Sequence, residues 1–483
     1  MGARSGQDYI ERLAATRPAV QLAGERIEGA VTEHPLLGRL VSSFAALYDM
    51  QLEPARLDTM TYQEPGSSER YGTSFIVPRT HEDLVHRRES MKAWADYSLG
   101  TLGRTGDYLN CAVMALSEAQ SFFAQADQAF AANIAAYYQR VRGEDLLLTH
   151  TLISPQANRS QDAAAQQGGA LTARIVKEDD NGVTIRGARM LATIGPIADE
   201  LLVFPSTVLK GTPEDAPYSF AFAINCDAPG LRFICRESLD YGGSHFDHPL
   251  GSRFEEIDSV VVFDDVQVPY ERCFLLGHPD LCNGFYTDTT AAAHMTHQVA
   301  TRTIAKTEAM VGIATLLSEA IGIESFQHIQ EDLAELIVTL EIVRGLVRSA
   351  EADAAPNEFG VLTPKMASLN ACRNWFPKAS QRFPQILRKF GASGLMALPT
   401  QADIEGAAHD DIELYLQSAT LDGGERVRLF RLAWDMSMSA FAGRQTLYEY
   451  FFFGDPVRMA GALVRGYDRE PYTARVREFL ERP

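Results

Sequence analysis

The sequence predicts an α+β chain, mainly α, in which a helical block, a β block and a second helical block follow one another. Three observations carry this. Apolar residues recur at helical spacing up to about residue 144, the period drops to two from residue 171, and helical spacing returns from Thr289. The expected domains are residues 1–145, 146–280 and 281–483. With 483 residues, 46% hydrophobic and 22% charged, the chain is long enough for two or three packed units.

In the first block, Ala112, Val113, Met114, Ala115, Leu116, Phe122, Phe123, Ala131, Ile134, Tyr137 and Tyr138 form a long apolar stripe. Those residues pack rather than react. Ahead of them Gly100-Thr-Leu-Gly-Arg-Thr-Gly-Asp-Tyr108 is glycine-rich and turn-like. If Asp107 or Thr105 caps a helix there, Arg104 and Tyr108 project toward one end of it. A plain surface turn is the competing reading.

In the second block, 171–177 and 183–186 flank Asp180-Asn181-Gly182, and Asn-Gly between alternating runs predicts a hairpin. Further strands are expected at 200–204, 218–224, 260–263 and 266–268. In the third, Ile329, Leu333, Leu336, Ile337, Leu340, Val343, Leu346 and Val347 are spaced mostly three and four apart. Later helices are expected over 364–390 and 427–450.

Between the first two blocks, residues 146–159 follow an apolar run with an imidazole (His150), hydroxyls (Thr149, Thr151, Ser154), amides (Gln156, Asn158) and a guanidinium (Arg159). Pro155 forces the backbone out of helix, so the stretch reads as a loop. It suits two roles equally: a site presenting hydrogen-bonding groups, or a connection whose side chains satisfy its own backbone.

Composition excludes several classes. Lys+Arg 44 against Asp+Glu 63 gives a formal charge of -19, which disfavours nucleic acid and anionic membrane surfaces as partners. The six cysteines (Cys111, Cys226, Cys235, Cys273, Cys282, Cys372) include no C-x-x-C pair and read as reduced and buried in a cytoplasmic protein. The polar opening residues are not expected to form a signal peptide, and Gly6 stands where myristoylation needs Ser or Thr. No apolar run is long enough to span a bilayer.

Sharp motifs are few. His81 and His86 are one residue too far apart for a zinc helix, sitting about 140° apart around it. His245-Phe-Asp-His248 lacks a further ligand, so no metal is expected. Rossmann and Walker glycine loops are both missing. Three glycine segments remain: Gly187-Ala-Arg-Met-Leu-Ala-Thr193-Ile-Gly-Pro196, Gly391-Ala-Ser-Gly394 and Gly454-Asp-Pro-Val457. Each serves as ordinary loop chemistry, or lets backbone approach a large planar or phosphate-bearing ligand.

Taken in order, Gly103-Arg-Thr-Gly-Asp-Tyr108, His150-Thr-Leu-Ile-Ser-Pro-Gln-Ala-Asn-Arg159, Gly187-Ala-Arg-Met-Leu-Ala-Thr193, Asp247-His-Pro-Leu-Gly-Ser-Arg-Phe254, Val262-Phe-Asp-Asp-Val-Gln-Val-Pro269 and Gly454-Asp-Pro-Val-Arg458 resemble the 4-hydroxyphenylacetate 3-monooxygenase large-component family. The resemblance covers nearly the whole chain. It implies an acyl-CoA dehydrogenase-like fold, with an N-terminal helical domain, a β-barrel-like middle domain and a C-terminal four-helix bundle, usually in a homotetramer. It also implies the oxygenase half of a two-component system. Such a protein takes FADH2 from a separate flavin reductase, binds O2, and hydroxylates a phenol ortho to its hydroxyl through a flavin C4a-hydroperoxide.

By motif, the resemblance assigns Arg104, Tyr108 and His150 to the phenol. It assigns FAD to His150, Thr151, Leu152, Gln156, Ala157, Asn158, Arg159 and Thr193, and also to Gly454, Asp455, Pro456 and Val457. One departure is Gly106, where relatives commonly carry proline. The chemistry suits those roles, because a guanidinium and an imidazole beside a phenol oxygen favour the phenolate. His150 is then expected as hydrogen-bond partner or base, Arg104 as phenolate stabiliser and Tyr108 as orienting group. A lid is expected at 210–217. The phenol stays open among hydroxyphenylacetate, coumarate, a tyrosine derivative and a chlorophenol. Two other readings are a 4-hydroxybutyryl-CoA dehydratase-like lyase, for which the thiolates near Arg104 and His294 are missing, and a non-catalytic scaffold on the same fold.

Overall fold

The structure, a computed structural model, describes residues 2–155, 157–158, 160, 163–206, 209–452 and 454–482. Helices α1 (Gly6–Ala15), α2 (Leu37–Leu52), α3 (His81–Tyr97), α4 (Gly106–Glu118) and α5 (Gln128–Glu144) make up most of the first block. α1 and α3 start at capping boxes, Ser5 with Asp8 and Thr80 with Asp83. α4 is buried from Gly106 to Ser117, which is why its sequence is largely apolar on every face. α5 ends at Asp145, which takes a left-handed φ of 48°. The Asp145 carboxylate accepts from the Arg4 amide at 3.2 Å and from Gln51 Nε2 at 2.7 Å, so the turn into the β block is pinned from the N-terminal segment.

The first block is not wholly helical. β1 (Ala19–Leu22) and β2 (Glu25–Arg26) form a hairpin, and β1 joins the main sheet of the middle block. That block contains β3 (Leu148–Thr151), β4 (Arg174–Asp179), β5 (Gly182–Thr193), β6 (Glu200–Val203), β7 (Phe220–Asn225), β8 (Leu231–Cys235), β9 (Asp258–Pro269) and β10 (Cys273–Leu276). A six-stranded sheet runs β2-β1-β8-β9-β5-β4 and a four-stranded one β10-β7-β6-β3. β4 and β5 are the expected hairpin, with Asp179 opposite Gly182. Phe220, Phe222 and Phe233 are fully buried between the layers, each stabilising by roughly 1.5–3 kcal/mol.

Two expectations change here. Residues 148–151 are a strand, not part of a loop: β3 is buried along its length and pairs in parallel with β6, His150 opposite Leu202. The Thr-His-Thr run misleads because its two threonine hydroxyls donate to backbone carbonyls instead of water. Where two strands were expected over 260–268, β9 is continuous. A bulge shifts its register between Phe263 and Val266, with Asp265 at φ 56°, so the Asp-Asp pair that reads as a break is an extra residue accommodated within one strand.

The third block holds α6 (Ala291–Ala320), α7 (Gln327–Ala352), α8 (Met366–Ala379), α9 (Phe383–Gly391), α10 (Gly423–Ser437), α11 (Ala440–Phe451), α12 (Pro456–Gly466) and α13 (Glu470–Leu480). α6 is central, packing against α3, α4, α7, α8, α9 and α10. Its buried cations are paired: Arg302 and Lys306 both close on Glu449 at 2.7 Å. α12 and α13 bury no residue of their own and leave Val457, Val464, Val476, Phe479 and Leu480 exposed. No helix among the described residues is long and apolar enough to cross a membrane. All six cysteines are free thiols, Cys235 partly exposed and the others buried.

Candidate active site

The turn before α4 is built around one carboxylate. Glu256 Oε1 accepts from the Gly103 amide at 2.7 Å and the Arg104 amide at 2.6 Å, while its Oε2 accepts from Arg444 Nη1 at 2.9 Å. Thr105 stands at the N-cap, but its hydroxyl donates to Asp107 Oδ1 at 2.5 Å instead of capping the helix. A Cβ on Gly106 would meet nothing closer than Asn110 Nδ2 at 3.6 Å, so space does not demand glycine there. The turn is fixed by Glu256, and the departure at Gly106 leaves it in place.

Arg104, Tyr108 and His150 come together. The Arg104 guanidinium lies 4.4 Å over the Tyr108 ring and 4.3 Å over the Phe452 ring. Its Nη1 donates to Tyr448 Oη at 2.6 Å. The Tyr108 and His150 rings are 5.7 Å apart at 50°, and Phe204 closes the other side of His150 at 5.6 Å. Burial, then the Arg104 charge, hold His150 well below the usual imidazole range, so its ring is neutral at neutral pH. Burial raises the Tyr108 hydroxyl. Among the described residues neither the His150 ring nitrogens nor the Tyr108 hydroxyl has a hydrogen-bond partner. Tyr286, set edge-on against Phe204, has a buried hydroxyl in the same condition.

Along β3 and across to β5, the hydroxyls belong to the frame. Thr149 Oγ1 donates to the Thr193 carbonyl at 2.6 Å, Thr151 Oγ1 to the Met190 carbonyl at 3.0 Å, and Thr193 Oγ1 to Asp258 Oδ1 at 2.8 Å. Burial alone would raise the Asp258 carboxyl, but Arg444 and Arg236 beside it hold it down to about 2. The Leu152 carbonyl accepts from Arg189 Nη1 at 2.6 Å. Beside these, Ile153 and Leu191 are 38% and 49% exposed, an apolar edge next to the buried strand β3.

The other expected residues are more scattered. Ala157 and Asn158 are exposed beyond the end of β3, the Asn158 amide donating to Gln166 Oε1 at 3.2 Å. Gln156 and Arg159 lie outside the described residues. Gly454 takes φ +102°, Asp455 caps α12 by accepting from the Arg458 amide at 2.8 Å, Pro456 opens that helix, and Val457 is 81% exposed. The expected lid at 210–217 is folded on itself: Asp215 accepts from the Lys210 amide at 2.8 Å and the Gly211 amide at 3.1 Å.

Sequence reasoning missed Glu256, Arg444, Tyr448, Phe452, Phe204 and Tyr286. Only the pair Tyr448 and Phe452 left a signal, an i, i+4 aromatic spacing directly before the Gly454 turn.

A helical, β and helical order with a guanidinium, a phenol and a neutral imidazole at one closed site defines an enzyme of the acyl-CoA dehydrogenase fold class. An acyl-CoA dehydrogenase from Geobacillus kaustophilus shares that fold at 16% identity over 81% of this chain and 86% of its own, with a TM-score of 0.50. The chain belongs to the 4-hydroxyphenylacetate 3-hydroxylase family: the N-terminal family model matches residues 5–275 and the C-terminal one residues 282–481. The 4-hydroxyphenylacetate 3-monooxygenase oxygenase component of Geobacillus sp. is 47% identical over 99% of this chain and 97% of its own. A crystal structure of such a component, complexed with FAD and 4-hydroxyphenylacetate, is 46% identical with a TM-score of 0.95, covering 99% of this chain and 98% of that one.

Proposed function

We propose that the chain is the oxygenase component of a two-component, FADH2- and O2-dependent monooxygenase that hydroxylates a phenol ortho to its hydroxyl. The observation that carries this is the closed group of Arg104, Tyr108 and neutral His150 one strand from Thr193. The residues present fit FAD. Ile153 and Leu191 offer apolar surface to a flat ring system, and the backbone of Thr151, Leu152 and Thr193 borders it. Ala157, Asn158 and the turn Gly454, Asp455, Pro456 and Val457 extend the same reading toward the rest of the cofactor. Supplied as FADH2, the flavin provides, with O2, an electrophilic oxygen.

The chain's own residues do the rest. A phenol hydroxyl between Arg104 and His150 donates its proton toward a free ring nitrogen of His150, while the guanidinium stabilises the charge left on oxygen. Tyr108 and Tyr286 contribute hydroxyls with no protein partner among the described residues. Phe204, Phe452 and the Tyr108 ring exclude water, which protects a reactive oxygen donor.

4-Hydroxyphenylacetate is the phenol we propose to test first, and a separate flavin reductase is the partner that supplies FADH2. The exposed apolar side chains of α12 and α13 suit a homotetramer of this chain. We place the protein in the cytoplasm and divide it at residues 145 and 280. The test is anaerobic titration with reduced FAD, then mixing with O2 and a panel of phenols, with the catechol product assayed. Reduced FAD that fails to bind, or phenols that return unchanged, would overturn the proposal.

A further inference from the structure

We infer that Tyr448, contributed by helix α11 of the third block, is the positioning residue that holds the Arg104 guanidinium toward the phenol without neutralising it. The inference rests on the function proposed above and extends it to a residue nearly 350 positions from Arg104. Arg104 has no carboxylate within ion-pair distance among the described residues. Glu256, the nearest acid on its backbone, takes the Arg104 amide and spends its second oxygen on Arg444. Among the described residues, the one side-chain oxygen accepting from the guanidinium is a neutral phenol, Tyr448 Oη, at 2.6 Å. A carboxylate in that place would orient the group equally well and cancel its charge; a phenol orients it and leaves the charge for the substrate.

Two further features are built for this contact. A Cβ on Gly103 would lie 2.1 Å from Tyr448 Oη and 2.3 Å from Cζ, so any larger residue displaces the ring. One turn before Tyr448, Arg444 anchors α11 to Glu256 at 2.9 Å and to Asp258 at 2.8 Å, and its guanidinium sits 4.7 Å over the Tyr448 ring. Arg302 faces the same ring at 5.6 Å. Burial keeps the Tyr448 hydroxyl protonated, although the Arg104, Arg302 and Arg444 charges favour its ionised form, so the group stays a neutral acceptor for Arg104.

The test uses the full chain and 4-nitrophenol, whose ionisation is read from its visible absorbance, so the readout does not depend on turnover. Wild-type protein is expected to ionise the bound probe at lower pH than free solution does. Tyr448→Phe should reduce the ionisation equilibrium about tenfold, roughly the loss of one charged hydrogen bond. Gly103→Ala, which keeps the hydroxyl but displaces it, should do the same. In an Arg104→Met background, Tyr448→Phe should add nothing. An equilibrium in Tyr448→Phe equal to that of a wild type which itself favours ionisation overturns the role of Tyr448 alone. So does a Tyr448→Phe effect that persists without Arg104. A wild type that leaves the probe's ionisation as in free solution overturns the phenol reading itself.

Discussion

Arg444 and Asp258 form a two-pronged ion pair, Nη2 to Oδ1 at 2.8 Å and Nε to Oδ2 at 3.0 Å. The third prong of Arg444, Nη1, reaches Glu256. Glu256 holds the amides of Gly103 and Arg104, and Asp258 takes the Thr193 hydroxyl. A single guanidinium on α11 therefore ties the proposed phenol side of the site to the proposed flavin side.

Among the described residues, removing that guanidinium leaves Glu256 without an ionic partner and Asp258 with only Arg236. Arg444→Met is expected to destabilise the fold by about 3–5 kcal/mol, as for a broken buried pair. Both phenol and FAD affinity should fall with it. Denaturant melts and ligand titrations measure this; a loss confined to one ligand would show that the two halves are not coupled through Arg444. The pH dependence has a defined sign. The folded Asp258 value, about 2, lies below the ordinary value of about 3.9, so its contribution is full above about pH 4 and lost as pH falls toward 2.

His150 is also depressed, but as a buried base held neutral instead of an acid held charged. Its folded value is depressed below the ordinary imidazole value of about 6.5, so its contribution to stability is full above that pH and declines below it as the unfolded chain takes up the proton. The hydroxylation rate should therefore show no inflection near pH 6.5 from this residue. His150→Gln, which keeps a polar side chain but no base, is expected to cut the rate of phenol hydroxylation by about 10²-fold or more with FAD binding largely kept. An inflection at pH 6.5 that vanishes in the variant would mean the imidazole is exposed to solvent protons, against the burial observed here.

Asp107 makes a third case. Buried on α4, it is pushed up to about 6 by burial, although the Thr105 hydroxyl and Gln298 Nε2 donate to it. Its raised value means that its stabilising share is present below the ordinary value of about 3.9 and lost as pH rises through about 6. Gln298 Oε1 is buried with no partner, so a flipped Gln298 amide would accept from an asparagine at 107. Asp107→Asn is expected to raise the melting temperature at pH 8 and to leave it nearly unchanged at pH 4. Equal shifts at both pH values would sink this account.

What the sequence makes legible follows from how local each signal is. His150 stands out because polar groups border an apolar run, and Arg104 and Tyr108 because a glycine-rich turn precedes one, but only the family resemblance joins the three at one site. The β4–β5 hairpin is legible because Asn181-Gly182 sets it within a few residues. The strand β3 is illegible because its neighbours in the sheet, not its own pattern, decide that Thr149 and Thr151 are buried. β1 hides in a helical block since its partner, β8, lies over two hundred residues on. Glu256, Arg444 and Tyr448 become site residues only when three blocks close on one another, and no spacing within any block records that.

Arg189 offers the last test, at the joint between β5 and the end of β3. Its guanidinium is fully buried and burial lowers it to about 10, yet among the described residues only Nη1 is used, donating to the Leu152 carbonyl, while Nε and Nη2 have no hydrogen-bond partner. An uncompensated buried cation is costly, and replacing it by an apolar side chain of similar length removes that cost along with one hydrogen bond. Arg189→Met should therefore change stability by no more than about 1 kcal/mol, since the two terms oppose each other. Its effect should appear at the site instead. With the Leu152 carbonyl released, the 150–152 segment loses its brace, and reduced FAD should bind about tenfold more weakly, equivalent to about 1.4 kcal/mol. Calorimetric melts beside anaerobic FAD titrations separate the two effects. A variant that unfolds readily but binds FAD normally would mean that Arg189 serves the core, with the Phe220 ring 5.2 Å from its guanidinium, and not the site.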